Sequence, residues 1–351
     1  MSDSTYTGKY GALKALSTLM LSQKGIEQLV GKDTDDMMKT LSETDYKSEI
    51  DSLSGLYKMP DLIEAVLNLK FSRRVNKAYA AMPPTARPFV EAYIRKFDIE
   101  NIKALLSAKA LGYSISQTGE FFVLSGNPIG VLAGSIGAHE YARMMELKDV
   151  ETVVNHLARF GYGTALMSHI DDYIKTKSLS SMMLELDLYY YSRLLETLKF
   201  YKGDEGTVYG YVTALIDSKN IVVAAKSRYI DPAAEPLLIP GGKLSKQQVI
   251  DAVSGKDVRF PGLPDSQGLA DAIHKYFEKG MASDLELYFR RALYDKYMPL
   301  FASFTASLPF MLGYIIRAET ERNSLRSIFL TRYYGIDSAS ANRFVMGTNA
   351  S

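Results

Sequence analysis

The sequence has no cysteine and no tryptophan, and only four histidines among its 351 residues. Without cysteine the chain can form no disulfide, no thiolate nucleophile, no iron–sulfur cluster and no cysteine-ligated zinc site. Its 41 lysines and arginines nearly balance its 40 aspartates and glutamates, so a net charge of +1 offers no general attraction for nucleic acid or anionic lipid. Because 47% of the residues are hydrophobic, the chain can bury sizeable cores, which excludes disorder as its main state.

The chain also lacks the patterns that are typical of export and of membrane insertion. Residues 1–23 contain no basic stretch followed by an unbroken apolar one, which predicts no secretory signal and a cytoplasmic protein. The longest weakly polar run, residues 121–138, is interrupted by Pro128 and several glycines. A bilayer-spanning helix needs about 20 mainly apolar residues. The run therefore favours a packed loop with a short helix, and no transmembrane segment is predicted.

Helical periodicity covers most of the sequence. Apolar residues recur at steps of three and four, whereas the alternation of a strand is scarce, so the sequence predicts an all-α protein. The length fits two or three domains. The periodic segments are Leu13–Val30, Leu62–Tyr79, Val90–Leu111, Val150–Leu166, Leu184–Phe200, Val208–Ala225, Leu285–Leu300 and Pro309–Phe329.

One polar pattern recurs three times at intervals of about a third of the chain, which is the sign of an internal repeat. Each copy has an acid, then an anchor residue three positions later, then a base eight positions after the anchor. The copies are Asp98, Asn101 and Lys109; Asp217, Asn220 and Arg228; and Glu321, Ser324 and Arg332. A second element, a helix carrying Glu64, Glu185 or Glu286, precedes each anchor in step. The chain is therefore predicted to be a tandem triplication with domains 1–118, 119–232 and 233–351.

The repeated polar residues have two interpretations. Asn101 and Asn220 lie on the apolar stripes of their helices, so each amide must be hydrogen-bonded, and the acid one turn earlier is the nearest candidate partner. In the first interpretation each acid, amide and base satisfies backbone or neighbouring helices within its own repeat. In the second, the three helices present equivalent polar positions to a shared centre or to a partner. Neither interpretation is catalytic.

Motifs for catalysis or cofactor binding are not found in the sequence. It contains no GxxxxGK[ST] phosphate loop, no HExxH and no GxSxG elbow. The adjacent His139 and Glu140 are better explained as a pair that is solvated or satisfied by its helix than as a metal site. No catalytic, cofactor-binding or metal-binding residue is predicted, and no cofactor.

Five segments together resemble a known family. In that family, the C subunits of archaeal-type (A/V-type) rotary ATPases are grouped with the d subunits of eukaryotic V-ATPases, and the similarity runs over nearly the whole chain. The third copy departs from the pattern, because Asn323 precedes the anchor position and Ser324 occupies it, which leaves open whether its polar contact is the same. The segments are FDIENIKALLSAKALG (97–112), LELDLYYY (184–191), IDSKNI (216–221), IPGGKLS (239–245) and LPFMLGYIIRAETERNSLRSI (308–328).

The resemblance implies a funnel of three similar helical domains with pseudo-threefold symmetry around a central hollow. It implies a non-catalytic, peripheral spacer on the cytoplasmic face of the membrane, between the central-shaft subunits and the membrane rotor ring of the ATPase. There it would couple the two during ATP synthesis or ATP-driven proton or sodium transport. The alternative is a free-standing helical-repeat scaffold that binds other cytoplasmic proteins, although ordinary solenoid repeats are shorter, at about 20–50 residues. An enzyme with an unrecognised site ranks last.

Overall fold

In the computed structural model, residues 3–113, 130–199, 205–230, 236–256, 258–260, 266–305, 307–336 and 341–346 are described. Every regular element in these residues is a helix, which confirms the all-α prediction. The α-helices are α1 (Asp3–Ser17), α2 (Gln23–Val30), α3 (Thr34–Ser42), α4 (Lys47–Leu53), α5 (Asp61–Ala81), α6 (Arg87–Ala110), α7 (Ala138–Glu146), α8 (Val150–Leu157), α9 (Gly163–Met167), α10 (Ile170–Thr176), α11 (Ser180–Leu198), α12 (Glu205–Ile230), α13 (Lys246–Val253), α14 (Ser266–Lys279), α15 (Ala282–Ser303) and α16 (Leu308–Tyr333). A short 3₁₀-helix, Ala158–Phe160, lies between α8 and α9.

Two predicted helices are each divided in the structure, so their prediction as single segments was wrong. Leu13–Val30 is broken because Ser22 caps α2, its side chain accepting a hydrogen bond from the backbone N–H of Gly25 at 3.1 Å. Val150–Leu166 is broken at Gly161, whose φ of 84° lies in the left-handed region that glycine adopts without strain. Local capping and turn chemistry therefore interrupts an apolar period that continues across the break.

The run 121–138, predicted to be a packed loop with a short helix, is only partly described. Residues 121–129 lie outside the described residues, and α7 begins at Ala138. Among the helices of the described residues, none combines the length and the apolar character that crossing a bilayer requires.

The chain forms two compact units. Unit 1 comprises residues 1–190 and 314–351, and unit 2 comprises residues 191–313. Unit 1 thus contains both ends of the chain, and one of its buried clusters joins Ile26 and Tyr46 near the amino terminus to Phe329 of α16. The three predicted domains and their boundaries stay a prediction.

Unit 2 is built around α12, which packs against α13 and α15. An aromatic cluster holds α12 to α15: the ring of Tyr211 lies 5.3 Å from that of Tyr297 and 5.5 Å from that of Phe301, each in an edge-to-face arrangement. Such pairs contribute about 0.5–1.5 kcal/mol each beyond the burial of their area. The cluster fixes the helix that carries the second copy of the polar repeat.

Candidate functional site: the three repeated polar helices

The nine residues predicted from the repeat lie on three long helices, α6, α12 and α16. The acids and the anchor residues are all buried in the structure: Asp98, Asn101, Asp217, Asn220, Glu321 and Ser324. A buried carboxylate is costly unless hydrogen bonds or a counter-charge replace its water. The partners of each acid therefore show how the position is used.

Asp98 binds the segment that leads into α7. Its carboxylate accepts hydrogen bonds from the backbone N–H of Ser135 at 2.7 Å and of Ile136 at 3.2 Å, and from the Ser135 hydroxyl at 2.8 Å. Tyr162 and Tyr141 donate their hydroxyls at 3.1 Å and 3.3 Å. Burial, together with the negative charge of Asp98, raises the pKa of both tyrosines, so their hydroxyls stay protonated and donate.

The other two members of the first copy bind backbone carbonyls. The side-chain amide of Asn101 donates to the carbonyl of Val131 at 3.0 Å. The ammonium of Lys109 donates to the carbonyl of Leu147 at 2.7 Å and to that of Met145, both at the carboxyl end of α7. Asn101 is therefore satisfied by a loop carbonyl, and not by the acid one turn earlier.

The second copy repeats this arrangement in unit 2. Asp217 accepts hydrogen bonds from the backbone N–H groups of Lys243 and Leu244, each at 3.0 Å, just before α13. Asn220 makes two hydrogen bonds of 2.8 Å with the backbone of Ile239, one to its carbonyl and one from its N–H. Arg228 donates to the hydroxyl of Ser254, the residue that caps the carboxyl end of α13.

The pKa of Asp217 is raised from its ordinary value of 3.8 because burial disfavours the carboxylate more than its backbone hydrogen bonds to Leu244 and Lys243 favour it. The cost of burying the Asp217 carboxylate therefore offsets part of the stability that its hydrogen bonds contribute.

A glycine makes room for the carboxylate in both of these copies. A Cβ atom added to Gly134 would lie 2.2 Å from Oδ1 of Asp98, and one added to Gly242 would lie 2.1 Å from Oδ1 of Asp217. Both distances are far below van der Waals contact, so no side chain fits at either position without displacing the acid. Each glycine stands two residues before the last N–H that its acid binds.

The third copy is completed by the amino terminus. Glu321 accepts a hydrogen bond from the backbone N–H of Leu21 at 3.1 Å, just before α2. Arg332 donates to the carbonyl of Lys32 at 3.1 Å, just after α2. The residue that corresponds to the two glycines is Leu19, and the acid is a glutamate instead of an aspartate. The longer side chain reaches the same kind of N–H without needing a glycine.

Ser324 does not repeat the contact of the two asparagines. Its hydroxyl is buried and has no hydrogen-bond partner. The neighbouring Asn323 is engaged elsewhere, since its side-chain oxygen Oδ1 accepts a hydrogen bond from the Arg322 guanidinium at 2.8 Å. The third copy thus keeps the acid and the base but loses the amide contact.

One rule describes all three copies: the acid binds N–H groups just before a short helix, and the base binds the carboxyl end of that helix. The three short helices are α7, α13 and α2. A negative charge at the amino end of a helix and a positive charge at the carboxyl end both interact favourably with the helix dipole. The repeated residues therefore join each long helix to a short one.

Sequence reasoning missed the ion network around Glu321. Arg74 on α5 donates to Glu321 at 2.9 Å and to Asp45 at 3.2 Å, and Lys70 pairs with Asp45 at 3.0 Å. Tyr46 donates its hydroxyl to Glu321 at 2.7 Å. No spacing rule links these residues, because Arg74 lies 247 positions and Tyr46 lies 275 positions from Glu321 in the sequence.

The network continues to Glu49, whose carboxylate binds Lys70 at 3.1 Å and Arg73 at 2.6 Å. Burial raises the pKa of Glu49, but the hydrogen bond from Arg73 and the charge of Lys70 outweigh it, so its pKa lies below the ordinary value of 4.5.

The contribution of Glu49 to the free energy of unfolding is expected to depend on pH. A lowered pKa in the folded state means that the stabilisation is present above pH 4.5 and is lost as the pH falls through the folded value. Glu49→Gln should lower the free energy of unfolding by about 2 kcal/mol at pH 7, and the difference from wild type should shrink below pH 4.5. Urea titrations at a series of pH values measure this; a difference that stays constant down to pH 3 contradicts it.

The unequal anchor residues predict unequal effects of truncation. Asn220→Ala leaves both backbone groups of Ile239 without their partner and should cost about 2 kcal/mol, whereas Ser324→Ala removes a hydroxyl that has none and should be neutral or slightly stabilising. Denaturant unfolding of the two variants provides the comparison. Equal losses in both would mean that Ser324 does form a hydrogen bond.

The arrangement has no feature of a metal centre. Within the described ranges, no three or more histidine, aspartate or glutamate side chains lie close enough together to hold a metal ion. His139 lies 4.0 Å from Glu140, which instead pairs with His156 at 2.8 Å. Chemically, the site binds helix ends and charges of its own chain.

Comparison with known proteins shows the family of this chain. The family model described as ATP synthase (C/AC39) subunit matches residues 10–344. The chain is 36% identical over 341 residues to the C subunit of the A-type ATP synthase of Thermoplasma volcanium, covering 95% of this chain and 96% of the relative. It is 35% identical to that of Thermoplasma acidophilum over the same shares, and 24% identical to that of Methanocaldococcus jannaschii over 88% and 76%. With a match that runs nearly from end to end, the chain belongs to the ATP synthase (C/AC39) subunit family.

Proposed function

We propose that this chain is a non-catalytic rotor component of an A/V-type ATPase. In this role it is a spacer, bound on the cytoplasmic face of the membrane between the central shaft and the rotor ring. It transmits rotation between them while the complex makes ATP or pumps protons or sodium ions. The family membership over residues 10–344 carries the proposal, because relatives that match over most of their length are named as subunits of the A-type ATP synthase.

The use of the repeated polar residues supports a mechanical role. Asp98 and Asp217 each accept two backbone hydrogen bonds, and Glu321 is neutralised by Arg74. A part that transmits torque needs helices held rigidly to one another, and buried, satisfied polar contacts provide that. These acids therefore stiffen the protein and do not face a substrate.

The threefold recurrence supports the three-domain arrangement around a central hollow. We pair each long helix with the short helix whose ends it binds, which are α6 with α7, α12 with α13, and α16 with α2. Each pair crosses a boundary of the predicted domains 1–118, 119–232 and 233–351, so these contacts tie each domain to the next. The third pair joins the two ends of the chain. Near-equivalent domains suit a part that caps a ring of identical subunits while its hollow receives the shaft.

The ends of the three long helices are candidate contact points for the ring or the shaft. The residue ten positions after each anchor is apolar and exposed: Leu111 is 67% exposed, Ile230 84% and Tyr334 65%. A large apolar side chain that stays in water at the same position of each repeat indicates an interaction surface. A partner made of identical subunits would meet the same chemistry at each end.

Co-sedimentation tests the proposal. Purified chain is mixed with detergent-solubilised rotor ring and with the isolated shaft subunits, and it should pellet with the ring and retain the shaft at one copy per complex. Ile230→Asp should weaken this binding by about tenfold, because a charge would be buried against an apolar surface. Leu56→Asp is the matched control, an exposed leucine (54%) outside the repeated positions, and it should bind normally.

Failure to bind either partner would overturn the proposal. In that event, binding to unrelated cytoplasmic proteins, with an open superhelix in an experimental structure, would favour the free-standing scaffold.

A further inference from the structure

Unit 1 contains a cavity of about 320 Å³ between α1, α4, α5 and α16. This volume lies at the lower end of the range that small-molecule sites occupy. Its wall is dominated by charged side chains, and none of the repeated acids, anchors or bases described above lines it. The cavity borders the third copy of the repeat through Arg74, which lines it and binds Glu321 at 2.9 Å.

The charge of the wall is positive. Lys70, Arg73, Arg74 and Lys77 lie on one face of α5, at the spacing of three and four residues that brings side chains together. Two carboxylates, Asp45 and Glu49, also line the cavity, so the bases exceed the acids by two. Because both carboxylates are already paired with these bases, the wall has no spare ligand for a cation.

Some of the basic groups remain available to a ligand. Lys70 is paired with Asp45 and Glu49, and Arg74 is paired with Asp45 and Glu321. Lys77 forms no ion pair or hydrogen bond with any described residue. Arg73 lines the cavity, binds Glu49 through one nitrogen of its guanidinium and has a side chain that is 48% exposed, so its other nitrogens are accessible to a ligand.

A buried tyrosine supplies the second observation. Tyr314 lines the cavity and is only 4% exposed, yet its hydroxyl has no hydrogen-bond partner. Burial raises the pKa of Tyr314 to about 12, so the hydroxyl keeps its proton as a donor. A buried donor left unpaired lowers stability, and an acceptor brought by a ligand would relieve that penalty.

We propose that this cavity binds a phosphate-bearing anion, held by Lys77, the free arm of Arg73 and the hydroxyl of Tyr314. The free nitrogen of the Arg73 guanidinium donates to one phosphate oxygen, the Lys77 ammonium adds a point charge, and the Tyr314 phenol donates to another oxygen. The cavity has more room than one phosphate group requires, which favours a diphosphate or a phosphate ester. This site is independent of binding to the ring or the shaft.

Isothermal titration calorimetry of the full chain tests the site, with sodium pyrophosphate and inorganic phosphate as soluble probes and phosphatidic acid vesicles as the membrane-bound probe. Pyrophosphate should bind saturably and raise the melting temperature. Lys77→Gln and Tyr314→Phe should each weaken binding by about tenfold. Tyr314→Phe removes a hydroxyl that has no partner, so the fold should be retained, as circular dichroism would verify.

Two matched control variants show whether the loss of binding is specific to residues of the cavity wall. Lys24→Gln removes an exposed lysine of α2 and Tyr113→Phe an exposed hydroxyl, both outside the cavity wall, and both should bind pyrophosphate as wild type does. Binding to vesicles alone, lost in Lys77→Gln and Tyr314→Phe, would support the site and identify a lipid headgroup as the source of the phosphate. No saturable binding of any probe, binding that both variants leave unchanged, or binding of polyglutamate in place of pyrophosphate would overturn the proposal.

Discussion

Replacing Arg74 by methionine is expected to lower the free energy of unfolding of unit 1 by about 3–5 kcal/mol, among the largest effects of any single substitution in this chain. Arg74 is buried and neutralises Glu321 at 2.9 Å and Asp45 at 3.2 Å. Without it, Glu321 is a buried carboxylate with no counter-charge. Since Glu321 also binds Leu21, the loss should loosen the contact between α16 and the amino terminus.

Urea denaturation measures the loss, and two further variants assign it to the ion pair. Lys47→Met removes an exposed pair with Asp51, whose side chains are 67% and 60% exposed, and should cost less than about 1 kcal/mol. The double variant Arg74→Met with Glu321→Gln should be more stable than Arg74→Met alone, because no unpaired charge remains. If the double variant is the less stable of the two, Arg74 acts through packing and not through its charge.

Gly134→Ala is expected to be nearly as damaging as the loss of Asp98 itself, at about 3–5 kcal/mol, since it buries a charge that has lost its partners. The added Cβ would lie 2.2 Å from the carboxylate, so Asp98 must move away from the N–H groups of Ser135 and Ile136. Thermal and denaturant unfolding of the variant give the measurement.

A double-mutant cycle tests the cause of that loss. In an Asp98→Ala background the space is empty, so Gly134→Ala should cost much less than it does in the wild type. Gly137→Ala is the control, because a Cβ there meets nothing within 4 Å; since Gly137 caps the amino end of α7, the variant should lose less than about 1 kcal/mol. Additive losses in the cycle would mean that Gly134 is needed for its backbone conformation and not to accommodate the acid.

Much of the architecture could be predicted from local pattern. Apolar residues at steps of three and four placed the long helices correctly, because helical periodicity depends only on near neighbours. The breaks at Ser22 and Gly161 were missed, since the apolar period continues across them while a single cap or a left-handed residue ends the helix. The repeat also emerged from sequence alone, because it needs only the comparison of the chain with itself.

The partners of the repeated acids could not be predicted in the same way. Asp98 binds a residue 37 positions away, Asp217 one 26 positions away, and Glu321 one 300 positions away. The differing lengths of the connections hide the equivalence of the three contacts. The role of Gly134 and Gly242 could not be predicted either, because the sequence does not distinguish a loop glycine that forms a turn from one that leaves space for a carboxylate.

By itself, the sequence determined that this protein is helical, that it has no cysteine chemistry, and that one acid-to-base pattern recurs three times along it. Only the tertiary structure decided what that pattern does: acid and base bind the two ends of a short helix, and for the third copy that helix is α2, at the opposite end of the chain. The reason is physical. Helix formation is governed by residues within one or two turns, whereas a buried charge is satisfied by whatever the fold brings within hydrogen-bond distance.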